Sequence, residues 1–184
     1  VTLPAGWDAI SQGSREVQER GPAGTRIHFV TNDPQEEIWL VAGPWIETKN
    51  AVDGIEAIAL LRERDDALTA KYLDATGPYI AMYSKLLGAY PYTKFALVEN
   101  FWETGYGMPS FTLLGSKVLR LPFILTSSYP HEILHNWWGN GVYVAPSSGN
   151  WSEGLTAYLA DHLFAEQKGA GAAYRQEALQ KYAD

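Results

Sequence analysis

The 184-residue chain contains no cysteine. That absence excludes a disulfide framework and a thiolate metal site. It is compatible with either side of a membrane, so it leaves the compartment open. Long apolar runs are also missing. No stretch reaches the ~20 residues that a membrane-spanning helix requires, and the sequence says nothing further about membrane association. Basic residues are few, with 14 Lys and Arg against 21 Asp and Glu, for a formal charge of −7. An acidic balance without a basic cluster argues against nucleic acid as a partner. There are no internal repeats and no low-complexity tract. What is present suits a globular fold with a real core: 46% of residues are hydrophobic and 19% charged. The chain opens on Val1 without a signal-peptide pattern, so it reads as a piece of a longer protein, whose remaining domains are expected partners.

Histidine is scarce, four in all, yet two of them frame His131-Glu132-Ile133-Leu134-His135. On a helix, four residues advance about 400°, which puts both imidazoles on one face one turn apart. Two ring nitrogens so placed can approach one tetrahedral ion. Glu132 between them can take a proton from a metal-bound water. A catalytic zinc needs a third protein ligand and one open position. Glu153 follows His135 by eighteen residues, at the start of another helical pattern in Asn150-Trp151-Ser152-Glu153-Gly154. The competing reading is a pair of ordinary histidines on a helix face. His28 has no ligand neighbour in sequence and reads as structural or surface.

Residues 1–48 read as β, with strands at 26–31 and 37–42 joined through Asn32-Asp33-Pro34. Two or three strands cannot stand alone, so this segment packs on something else. A helical pattern follows Asp53-Gly54, through Ile58, Leu61, Leu68, Tyr72 and Leu73. Gly77-Pro78 predicts a break or kink, and a second helical run covers 79–87 before a Gly88 cap. Residues 94–98 read as a buried strand, and 111–114 as a short strand at a sheet edge. Thr126 to Ser128 supply a cap for the helix carrying His131. Residues 141–149 read as a loop. A helix is expected over 153–167, with Leu155, Leu159 and Leu163 inward, and another over 174–182. His162 should face away from a metal held by Glu153.

His131 to Asn140, together with Asn150 to Tyr158, resembles the gluzincin metallopeptidases of the aminopeptidase N family, which show H-E-x-x-H-Q-W-F-G-N followed by W-L-N-E-G-F-A-x-Y. Leu86 to Lys94 resembles the family's entry into its catalytic domain. The resemblance covers roughly residues 50–168. It implies Zn2+ held by His131, His135 and Glu153, with Glu132 as general base. It implies an α+β, thermolysin-like catalytic domain: a small mixed sheet plus helices over 49–184, truncated, preceded over 1–48 by the last strands of an N-terminal β domain. The implied activity is hydrolysis of a peptide substrate by metal-activated water.

The chain departs from the family in four places. The His135–Glu153 interval is one residue short. Ala160, followed by Asp161, stands where the family often has an acid. Gly107 and Met108 match the exopeptidase motif G-x-M-E-N, but Pro109 and Ser110 replace its Glu and Asn. The family's transition-state tyrosine lies further downstream than Tyr174 and Tyr182. The missing Glu leaves aminopeptidase specificity open, with Gly107, Met108 and Glu103 as substrate-binding candidates and Glu99 beside them. Two other functions fit the same residues: a non-catalytic peptide-binding or scaffolding module, and a zinc hydrolase of a non-peptide. Retention of Glu132 argues against the first.

Overall fold

The computed structural model describes residues 1–183. Six strands come first: β1 (Thr2–Leu3), β2 (Asp8–Ser11), β3 (Ser14–Gly21), β4 (Gly24–Val30), β5 (Leu40–Gly43) and β6 (Ile46–Val52). Then come β7 (Ile55–Leu61), α1 (Asp66–Leu87), β8 (Lys94–Asn100), β9 (Gly105–Met108) and β10 (Phe111–Gly115). Helices α2 (Ser128–Leu134), α3 (Trp151–Ala157), α4 (Leu163–Gln167) and α5 (Gly171–Ala183) complete the chain, with a π turn over Tyr158–His162 between α3 and α4.

The central sheet has five strands in the order β6-β7-β8-β10-β9. Both β7 and β10 run parallel to β8, while the outer strands β6 and β9 are antiparallel to their neighbours. Alternation along a strand divides its side chains between two faces. Phe95 and Leu97 of β8 join Tyr72, Ile80 and Tyr83 of α1 and Tyr129 and Ile133 of α2 in one core. Ala96 and Val98 join Ile10, Ile58, Leu60 and Phe111 in a second core beneath the N-terminal strands. The sheet is thus covered on both faces, and the expected mixed sheet with helices is what the chain forms.

The N-terminal strands make two small sheets, β1-β4-β3 and β2-β5. The strands expected at 26–31 and 37–42 do not pair with each other; β4 pairs with β3 and β1, and β5 with β2. Strand β5 begins only at Leu40, because the Gln12 side chain occupies the Glu37 carbonyl and the Trp39 amide. The expected boundary between residues 48 and 49 falls inside β6.

Several local expectations are corrected. Ile58 and Leu61 belong to strand β7, not to a helix. The five residues Ala57 to Leu61 are all buried, as befits a strand covered on both faces. Helix α1 runs through Pro78. Its two halves bury Tyr72 and Tyr83 in the same core, which holds it continuous. Gly77 is a contact point, not a breaker: a Cβ there would lie 2.3 Å from Val52 Cγ1. Strand β10 is interior, and β9 forms the edge. Ser127 is the N-cap of α2 but makes no side-chain cap bond. Leu155 is exposed; Leu159 and Leu163 pack on the core as expected.

Candidate metal centre

Helix α2 places His131 and His135 one turn apart, and the His135 amide still donates to the His131 carbonyl at 3.3 Å. The helix closes directly afterwards, with the Asn136 and Trp137 amides bonded to the Ile133 and Leu134 carbonyls. Gly139, at φ +97°, then turns the chain back beside His135. Glu153 sits in the first turn of α3, where the helix dipole favours a carboxylate.

These elements bring three ligand atoms together. The His131 and His135 Nε2 atoms are 3.2 Å apart. His131 Nε2 lies 3.2 Å from Glu153 Oε2, and His135 Nε2 lies 3.2 Å from Glu153 Oε1. A tetrahedral ion with bonds of about 2.0–2.1 Å separates its ligands by roughly 3.3 Å. The donor set, two imidazoles and one carboxylate, is the set a catalytic zinc takes. Among the described residues, His131, His135 and Glu153 are the group with this geometry. The His135 Nδ1 lies 3.3 Å from the Trp138 carbonyl, an orienting partner that fixes which nitrogen faces inward.

Glu132 is buried beside the cluster. Burial first, and the Glu153 charge second, push its carboxyl up to about 7. Burial lowers the His135 pKa, with Glu153 opposing and His131 adding to the shift. A cation in the site would bring the Glu132 value back down. A cavity of about 430 Å³ opens over the cluster, lined by Gly105, Tyr106 and Gly107 of β9 and by Asn140, Asn150 and Ser152. Strand β9 lies so close to Glu132 that a Cβ on Gly107 would be 2.7 Å from its Oε2, and one on Gly105 would be 3.0 Å from its Oε1.

The other candidates divide. Gly107 lines the cavity, whereas Met108 packs into the core beneath the sheet. Glu103 is turned away: its carboxylate accepts from the Lys117 and Val118 amides at 2.8 and 3.2 Å. Glu99 is buried elsewhere, accepting from the Arg62 amide, Ser116 and Arg120. His162 faces Arg175 and Glu166, away from the cluster, and His28 is on the surface beside Glu16. Sequence reasoning missed Asn140, whose Nδ2 donates to the Gly107 carbonyl at 3.2 Å and ties β9 to the loop after α2. Its signal was its place in the His131–Asn140 segment.

No family model matches the chain. It has the fold of the M1 zinc metallopeptidases. The crystal structure of an M1 zinc metallopeptidase from Deinococcus radiodurans aligns over 100% of this chain and 43% of its own, with a TM-score of 0.78 and 19% identity. A Glu→Ala mutant of that enzyme bound to a Tyr-Ser-Ala substrate aligns with a TM-score of 0.75 and 18% identity, again over 100% of this chain and 43% of its own. In sequence, the chain is 28% identical over 122 residues to aminopeptidase RNPEPL1 of Mus musculus and of Homo sapiens. The match takes in 61% of this chain and 17% of those relatives. The resemblance to the aminopeptidase N family read from the sequence is therefore borne out. The chain spans less than half the length of the proteins it matches.

Proposed function

We propose that this chain is the catalytic portion of a zinc-dependent peptidase of the aminopeptidase N family, with His131, His135 and Glu153 as zinc ligands and Glu132 as general base. Residues 49–184 form the catalytic unit in this reading, and residues 1–48 belong to a preceding β unit. The observation that carries the proposal is the pair of imidazole Nε2 atoms 3.2 Å apart, each 3.2 Å from one oxygen of the Glu153 carboxylate, with the buried Glu132 carboxyl next to them. Zinc, when bound, supplies Lewis-acid polarisation of the scissile carbonyl and a water of lowered pKa.

The chain supplies the rest. Glu132, buried beside the cluster, would accept a proton from the attacking water on its carboxylate and return it to the leaving amine. Strand β9, at the sheet edge and on the cavity wall, is where an extended peptide would pair. Asn140 holds the Gly107 carbonyl in place for that pairing. The substrate class is a peptide, in keeping with the Tyr-Ser-Ala bound by the Deinococcus radiodurans mutant.

One pair of variants tests the reading in the full-length protein. His135→Ala should remove nearly all tightly bound zinc, because two ligands hold it poorly. Glu132→Gln should keep one zinc and lose about 10²-fold or more in turnover, since an amide cannot accept the proton. Unchanged zinc in the first variant, or normal turnover in the second, rejects the assignment.

A further inference from the structure

Lys94 opens β8 and is 1% exposed, in a strand whose next five residues are also buried. Among the described residues no carboxylate lies within ion-pair distance of it. Its Nζ donates instead to two neutral oxygens, the Ser11 carbonyl and Ser110 Oγ, each at 2.6 Å. Burial, with Arg15 adding to it and Glu56 opposing, lowers the amine to about 7. A buried amine without a counter-charge is costly, and a methionine would fill the same space without that cost. The two hydrogen bonds are what the lysine adds.

Both bonds lead somewhere specific. Ser11 belongs to β2, under the sheet. Ser110 forms the β9–β10 turn at φ +66°, and its amide donates to Asn136 Oδ1 at 2.7 Å. Asn136 in turn donates through Nδ2 to the Ile133 carbonyl at 2.8 Å, on the helix that carries Glu132. Strand β9, which runs into this turn, is the wall that meets the Glu132 carboxylate at Gly105 and Gly107. One line of hydrogen bonds therefore joins β2, the β9–β10 turn and the end of α2.

We propose that Lys94 is a positioning residue for Glu132. Through Ser110 and Asn136 it holds the β9 wall and the end of α2 in the register that keeps the Glu132 carboxylate in place. It touches neither metal nor substrate. The proposal rests on the reading of Glu132 as the base.

The test uses the full-length protein with Lys94→Met, Ser110→Gly and the double variant. Ser110→Gly removes only the hydroxyl and relaxes the positive φ, so it remains informative if Lys94→Met does not fold. Each variant should retain one zinc by elemental analysis. Each should lose about tenfold or more in kcat with KM within about twofold, the pattern of an interaction that acts on the chemical step. The double variant should be no worse than the poorer single one, because both changes break the same bond. Amide hydrogen exchange should quicken in segments 105–110 and 131–136 and stay unchanged in α1. A kcat within about twofold of wild type, additive losses, or unchanged exchange in those segments would overturn the proposal. A wild-type protein that holds no zinc and cleaves no peptide would instead overturn the peptidase reading, while the exchange measurement still decides whether the tether exists.

Discussion

Gly107 shows how a missing side chain can serve a site. A methyl there would lie 2.7 Å from Glu132 Oε2 and 3.1 Å from His135 Cδ2, so the carboxylate would have to move. Gly107→Ala should leave the fold intact and cut turnover by about tenfold or more, because displacement of a reacting group by a fraction of an ångström carries that cost. Circular dichroism and steady-state kinetics on the same preparation check it; normal turnover would show that Glu132 has room. Lys94 makes a residue-scale prediction about stability. Its folded pKa of about 7 is below the ordinary value of roughly 10.4. Between those values the unfolded chain binds the proton and the folded chain does not. Stability attributable to Lys94 therefore rises with pH from about 7 to about 10, by up to about 1.4 kcal/mol per pH unit. Lys94→Met should flatten that slope in denaturant unfolding measured from pH 7.5 to 9.5. An identical slope in both proteins would mean that the amine is solvated.

Among the elements, α1 was the least legible. Its apolar spacing is helical, but Gly77-Pro78 looks like punctuation until Val52 of β6 is seen packed against Gly77. Gly77→Ala would gain about 1 kcal/mol of helix propensity in an exposed helix. Here the new methyl meets Val52 at 2.3 Å, and overpacking of that kind costs about 1–3 kcal/mol. Gly77→Ala should therefore lower the midpoint of thermal unfolding, and Val52→Ala in the same chain should recover part of the loss. A rise in the midpoint would show that α1 can shift off the sheet. Strand β7 carries a helix-like pattern for a related reason. A strand buried on both faces loses its alternation, and Ile58 and Leu61 then fit a helical period by accident.

At the scale of the whole molecule, the question is which peptide ends the cavity accepts. Among the described residues the carboxylates on its wall are Glu132 and Glu153, and both have roles in the proposed site. Glu99 and Glu103 are held by other partners. Among the described residues no further carboxylate lines this cavity to pair with a substrate ammonium group, and a cation buried without one is disfavoured. The full-length protein should cleave N-acetylated peptides within about tenfold of their free-amine counterparts, a difference of about 1.4 kcal/mol. A strict requirement for the free amine, measured on matched peptide pairs, would place the recognising carboxylate in another part of the protein.

The grouping of His131, Glu132 and His135, the proposed ligands and base, was legible in the sequence, because they are held by one turn of helix, and helical geometry follows from spacing alone. Glu153 was legible through the Asn-Trp-Ser-Glu-Gly segment around it. The buried strand at β8 was legible from its apolar run. The sequence could not show that Gly105 and Gly107 meet Glu132, that Glu103 turns away, or that Lys94 reaches Ser110. Each of those contacts joins segments far apart in the chain. Their directions are set by the pairing of β8, β10 and β9 and by the way α2 packs on that sheet, which is where only the tertiary structure decides.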